Sequence, residues 1–228
     1  MPADLDAPVV VDFPLRGEGW MAVTTPAARV PSHGTDILGQ RYAYDFVRVD
    51  ERPGVRVHPA SMLRAATVGG RTSECYAWGA SIHAPFDAIV VDAVDGLSER
   101  GWVNPFREAA RMIWNGLTFT PARIPAILGN HVVLRAGDVL AGFAHLVPGS
   151  VAVAVGQTVR AGDVIGRVGH TGNSTSPHLH FQLMDSADLM TAKGIACAFH
   201  AYEVQSDDGW TIVTDGIPGA RDRIRSTG

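Results

Sequence analysis

Lysine is almost missing from this chain of 228 residues: Lys193 stands alone against eighteen arginines, a skew of composition rather than of chemistry. Cysteine is nearly as scarce. Cys75 and Cys197 could pair, but two cysteines in a chain of this length build no disulfide framework. No block of positive charge exists and the formal net charge is -4, which argues against nucleic acid as a partner. Long apolar runs are absent as well, so no bilayer-spanning segment is expected. The opening "MPADLDAPVVVDFPLRGEGW" starts acidic and lacks the basic and then apolar order of a secretory leader. As written, the chain is expected in the cytoplasm; a leader outside this sequence or non-standard export would place it beyond the membrane.

With 46% hydrophobic residues, 228 residues suffice for one substantial core, and a single domain over 1–228 is expected. The 25 glycines and 14 prolines punctuate short apolar stretches throughout, the look of an all-β protein. Stretches such as "GWMAVTT", "RYAYDFVRV", "HVVLRAG", "VLAGFAHL" and "PHLHFQLM" read as strands of an antiparallel sandwich or partly open barrel, its core over about 30–185. Earlier strands fall within 8–25, and 186–228 forms an extension whose last stretch, "IPGARDRIRSTG", is expected to fray. Residues 51–77 show no clean period and read as an excursion loop. Residues 104–116 carry a helical signature: Asn104 as cap, Pro105 at the first helical position, and an apolar stripe of Phe106, Ala109, Ala110 and Ile113 expected to bury against the β core.

Nine histidines are present. His58, His170 and His200 read as ordinary loop or half-buried residues, while His83 and His131 begin strands whose ends could rim a groove. His178 and His180 differ. One residue apart in an alternating run, they emerge on one face of a strand. Catalytic zinc sites keep three His, Asp or Glu ligands with a water in the fourth place, so a partner is needed. "PSHGTDILGQRYAYDF" holds one: Asp45 lies opposite in facing to Tyr44 and Phe46, and a carboxylate in so apolar a strand calls for a cation.

These segments together resemble the lysostaphin-type (LytM-like, β-lytic) zinc endopeptidases. The resemblance rests on "IHAPFDAIV", "GNHVVL", "FAHL", "VAVGQTVRAGDVIGRVGHTGNSTS" and "PHLHFQL", in the family's order, from about His33 to Met184. It implies an all-β fold with a groove that holds Zn2+. His33, Asp45 and His180 match the zinc ligands, His178 the catalytic histidine beside them, and His145 the second catalytic histidine across the groove. His33 and Asp45 stand farther apart than the family spacing, which leaves Asp36 as a rival ligand; Asp45 is preferred because a strand fixes its direction. Ala88 replaces a family glycine, and the helix at 104–116 exceeds what a minimal domain needs.

The resemblance implies hydrolysis of peptide bonds in peptidoglycan cross-links or other glycine-containing peptides. A second reading is a non-catalytic peptide-binding scaffold that keeps the fold. A third, from "VGQTVRAGDVIGRVG", is a biotinyl, lipoyl or phosphocarrier domain, but Lys193 lies outside that motif and a phosphocarrier has no use for Asp45. Oligomeric state is not legible in these residues.

Overall fold

The computed structural model describes residues 7–227. The strands that matter are β1 (Val9–Val11), β2 (Trp20–Thr24), β3 (Tyr44–Arg48), β4 (Ala88–Val94), β5 (His131–Ala136), β6 (Val139–Ala144), β7 (Leu179–Met184), β8 (Cys197–Ser206), β9 (Gly209–Gly216) and β10 (Arg223–Ser226). They join one large sheet in the order β1–β8–β10–β2–β3–β7–β6–β5–β4, with β9 hydrogen-bonded to β8. Pairing is antiparallel, as the short Gly-punctuated strands suggest, except that β1 runs parallel to β8. The fold is all-β and the sheet does not close into a barrel.

Alternation along β7 sets the geometry of everything that follows. Leu179, Phe181 and Leu183 point to the core and are essentially sealed from solvent, which leaves His180 and Gln182 on the opposite face. On β3, Tyr44 and Phe46 are likewise buried while Asp45 turns away. The core that anchors both strands gathers Trp20, Phe46, Phe143 and Phe181 from the large sheet with Ile82 and Ile165 from a small two-stranded one. Phe13 packs edge-on against Phe46 and Phe199 at 5.1 Å each. Each such ring removed from water contributes about 1.5–3 kcal/mol. The strands at the site are therefore held from behind.

Three expectations need correction. The C-terminal stretch does not fray: β10 lies between β8 and β2 inside the large sheet, with Ile224 fully buried. The excursion loop holds a short helix, α1 (Met62–Thr67), capped by the Ser61 side chain. The third concerns α2 (Pro105–Leu117). Its start is as read, with the Asn104 side chain accepting from the N–H groups of Phe106 and Arg107 and Pro105 at its head. Its orientation is reversed. Phe106 and Ile113 are 70% and 62% exposed and the stripe faces solvent, whereas Glu108, on the polar side, is buried.

The reason is electrostatic. Glu108 pairs with Arg100 at 3.1 Å, and Asn115 donates to Asn173 Oδ1 at 2.8 Å, so the polar side of α2 binds the body. Ala110→Asp should accordingly change stability by no more than about 0.5 kcal/mol, the usual range for an exposed position. A drop of several kcal/mol on thermal or urea melting would mean that this face is covered after all.

Candidate active site

β3 and β7 are antiparallel neighbours, and their register places Asp45 directly opposite His180. Directly opposed side chains lie closest across a sheet. His180 Nδ1 is 3.0 Å from Asp45 Oδ1, and His33 Nε2 is 3.0 Å from Asp45 Oδ2. Thr24, facing Asp45 on β2, donates its hydroxyl to the same Oδ2 at 2.9 Å and so orients the carboxylate. His33 comes from a loop that folds back on itself, with Ser32 N–H bonded to Arg41 O at 2.8 Å. One donor atom from each of His33, Asp45 and His180 falls within 4.8 Å of the others. The structure thus brings these three together. Asp36 stays outside, half exposed, and its carboxylate is taken by Arg41 at 2.6 Å.

Hydrogen-bond roles test whether this trio suits a cation. Gln182 donates its amide to Leu38 O at 2.8 Å, so its Oε1 faces His180 Nε2 at 3.0 Å and must accept from it. His180 therefore carries its proton on Nε2 and turns a bare Nδ1 toward Asp45. Ser32 Oγ donates to Gln40 O at 3.3 Å and lies 3.1 Å from His33 Nδ1, which puts the proton of His33 on Nδ1 and leaves Nε2 bare. Two nitrogen lone pairs then confront one carboxylate, an arrangement that repels itself unless a positive charge sits between them. Two imidazoles and a carboxylate are the donor set of zinc, and ligand histidines whose far N–H is held by an oxygen are the usual supporting arrangement. The residues fit the metal.

Two further histidines line the groove. His178 lies just before β7, its ring 4.9 Å from that of His145, which follows the end of β6. His178 Nδ1 donates to Ser176 O at 2.7 Å, and its Nε2 faces Asp45 Oδ1 at 3.4 Å. His145 Nδ1 donates to Thr171 O at 3.0 Å. Both rings thus offer Nε2 as the free nitrogen. Burial opposes a charge on His178, but the Asp45 carboxylate and the hydrogen bonds to Asp45 and Ser176 O outweigh it and raise its pKa. Burial, then the neighbouring His178 and His180, hold His145 well below the ordinary histidine range.

His145 has φ of 70°, a left-handed conformation that costs a non-glycine residue about 1–3 kcal/mol and persists only where the surroundings impose it. Here they do, since its N–H bonds to Leu128 O at 3.0 Å. Leu128 ends α3 (Ile124–Leu128), and Gly129 just after it lies so close to Thr171 and Gly172 that a Cβ would collide with their atoms. Met112 of α2 joins Ile127 and Leu128 as an apolar wall facing the histidines. The helical insertion therefore borders the groove.

The other histidines are elsewhere. His83 is bonded to Gly162 O, His131 to Asp92 and Gly129 O, and His200 to Asp215 on an exposed surface. His58 accepts from Ala60 N–H and lies 3.2 Å from Glu74 without hydrogen-bond alignment. Two of these depart from the sequence reading: His58 is buried, and His170 is fully so and in contact with Ser174 and Arg100. Sequence reasoning also passed over Ser32 and Gln182. The second had a signal, because a residue two after His180 in a strand shares its face. Cys75 and Cys197 are free and buried.

Residues 118–192 match the family model "Peptidase family M23". That stretch, about a third of the chain, is what carries the likeness to peptidase family M23. The matched segment holds His145, His178 and His180, while His33 and Asp45 lie upstream of it. Among solved structures, this chain is similar to the catalytic domain of the antimicrobial peptidase lysostaphin from Staphylococcus simulans, at 25% identity over 62% of this chain and 86% of that one, TM-score 0.32. It is also similar to Helicobacter pylori Csd3, at 16% identity over 83% of this chain and 34% of that one, TM-score 0.40. A third is a putative peptidase M23 from Pseudomonas aeruginosa, at 18% identity over 80% and 46%, TM-score 0.38. The chain spans about half the length or less of the last two. The family matched by 118–192 is one of peptidases. Among the described residues, no helix is long and apolar enough to cross a membrane.

Gln182 makes a graded test of the site. Gln182→Leu removes the acceptor that holds His180 Nε2–H, and loss of such a supporting group weakens metal affinity by about 10–100-fold. Competition with a chromophoric chelator should read that loss in zinc affinity. Unchanged affinity would mean that His180 is held by its strand alone.

Proposed function

We propose that this chain is a zinc-dependent endopeptidase acting on peptide cross-links of bacterial peptidoglycan or other glycine-containing peptides. The observation that carries the proposal is the pair of bare nitrogens, His33 Nε2 and His180 Nδ1, each 3.0 Å from the Asp45 carboxylate, with His178 and His145 in the same groove. Zn2+ held by His33, Asp45 and His180 would acidify a water and polarise a substrate carbonyl.

The chain's own part follows from tautomers. His178, with Nδ1–H fixed on Ser176 O, takes a proton at Nε2 as general base. His145 offers Nε2 from across the groove; it donates toward a developing oxyanion when that nitrogen is protonated. The wall of Met112, Ile127 and Leu128 orients the peptide. One catalytic domain fills the chain, the site residues lying within 30–185 and the strands of 9–24 and 197–226 completing the sheet behind them. The wall substrate lies outside the cytoplasm, so this reading carries extracytoplasmic work with it.

Digestion of purified peptidoglycan with zinc-loaded protein tests the proposal, with new amino termini identifying the bond cut. Release that a chelator abolishes is the expected outcome. Zinc bound without release from any wall peptide would favour the non-catalytic scaffold.

A further inference from the structure

His170 is fully buried eight residues before His178, and its two ring nitrogens have different partners. Nε2 lies 3.2 Å from an Arg100 Nη, which can only donate, so Nε2 accepts. The proton of His170 is then on Nδ1, and it goes to Ser174 Oγ at 2.9 Å. Ser174 passes its own proton to Ser176 O at 2.7 Å, and that carbonyl receives His178 Nδ1–H, also at 2.7 Å. A carbonyl accepts in any case, so the control lies in Ser174. Its Oγ is also 3.1 Å from His178 Nδ1. While it accepts from His170 and donates to Ser176 O, it has no proton to offer that nitrogen, which must keep its own. Burial and then the Arg100 charge hold the His170 pKa down to about 3, so the ring stays neutral.

Arg100 is itself fixed. It donates to Gly172 O and Ser174 O at 2.8 Å each, which clamps the loop that delivers His178. Its Nε faces Glu108 Oε2 of α2 at 3.1 Å, an ion pair without hydrogen-bond alignment. Without that carboxylate the partly buried guanidinium would lose its principal counter-charge. The helical insertion thus underwrites the chain of bonds that ends on His178.

We infer that His170 is a positioning residue for His178, holding it through the Ser174 hydroxyl in the tautomer that presents a bare Nε2 to the groove. The inference rests on the reading of His178 as general base. A base of the wrong tautomer presents an N–H where a lone pair is needed, and the bond on the far ring nitrogen decides which tautomer exists.

Two substitutions at one position separate this role from packing. His170→Leu fills the space but ends the donation to Ser174. His170→Asn keeps an amide donor near the Nδ1 position. In the zinc-loaded full chain, nitrogen-15 imidazole spectra should show His178 as one Nδ1–H tautomer in the wild type and in His170→Asn, and as a mixture in His170→Leu. On a glycine-containing peptide, His170→Leu should lower kcat by about 10–100-fold with KM and zinc content unchanged, the scale of lost supporting groups, and His170→Asn should restore most of it. If His170→Leu does not fold, Ser174→Ala breaks the same link and is read in the same two ways. A pure Nδ1–H tautomer with wild-type kcat in the variant that lacks the link overturns the inference. The spectrum needs no substrate, so a wild type that cleaves nothing refutes the peptidase reading while the tautomer still decides this one.

Discussion

His178→Ala and His145→Ala are expected to keep the zinc and the fold while each lowers peptide hydrolysis by about 10²–10⁴-fold, the usual worth of one positioned acid–base or oxyanion group. Retention of metal follows from the geometry. Both rings spend Nδ1–H on backbone carbonyls, Ser176 O and Thr171 O, and neither belongs to the trio around Asp45. Three ligands and a water complete a tetrahedron without them. The double variant should lose less than the product of the two effects, since groups that act in one step are not additive. Metal content, melting temperature and chelator-sensitive cleavage of a glycine-containing peptide check all three statements. Full activity in both single variants would remove the histidines from the chemistry.

Asp45→Ala is expected to abolish zinc binding, and Asp36→Ala to leave it nearly intact. Asp45 supplies the only carboxylate among the three clustered donors, and Thr24 on β2 aims it. Without it, the bare nitrogens of His33 and His180 have no anion between them, and the site keeps two of its three protein ligands. Asp36 is occupied by Arg41 on the surface, so removing it disturbs only an exposed ion pair, worth about 0–1 kcal/mol. Metal content after dialysis against zinc separates the two. Reversed results would move the ligand into the turn and break the cross-strand pairing on which the site is built.

What was legible beforehand follows a physical division. The facing of His180, Leu179 and Phe181 is a local property of an alternating strand, and "PHLHFQLM" displays it directly. The start of α2 was equally local, written in Asn104 and Pro105. Which face of α2 meets the body was not local. It depends on Glu108 finding Arg100, and on Asn115 finding Asn173, 58 residues along the chain. An apolar stripe by itself reads as buried, and here a buried ion pair outweighs it. β10 shows the same limit: its Ile224 is one apolar residue among arginines, and only the slot between β8 and β2 makes it a strand. His170 was misread because its burial is conferred by Arg100 and Glu108, far from it in sequence. The residues of the candidate site could be named from the resemblance, but the register that sets Asp45 against His180 could not be seen until β3 and β7 were paired.

The most direct measurement is a zinc titration of the metal-free chain, followed by the rate at which a glycine-containing cell-wall peptide is cut. The account expects no cleavage at the start, a linear rise, and a break at one zinc per chain, with Asp45→Ala flat throughout. Cleavage that is indifferent to zinc, or one zinc bound tightly with the peptide intact, would contradict it.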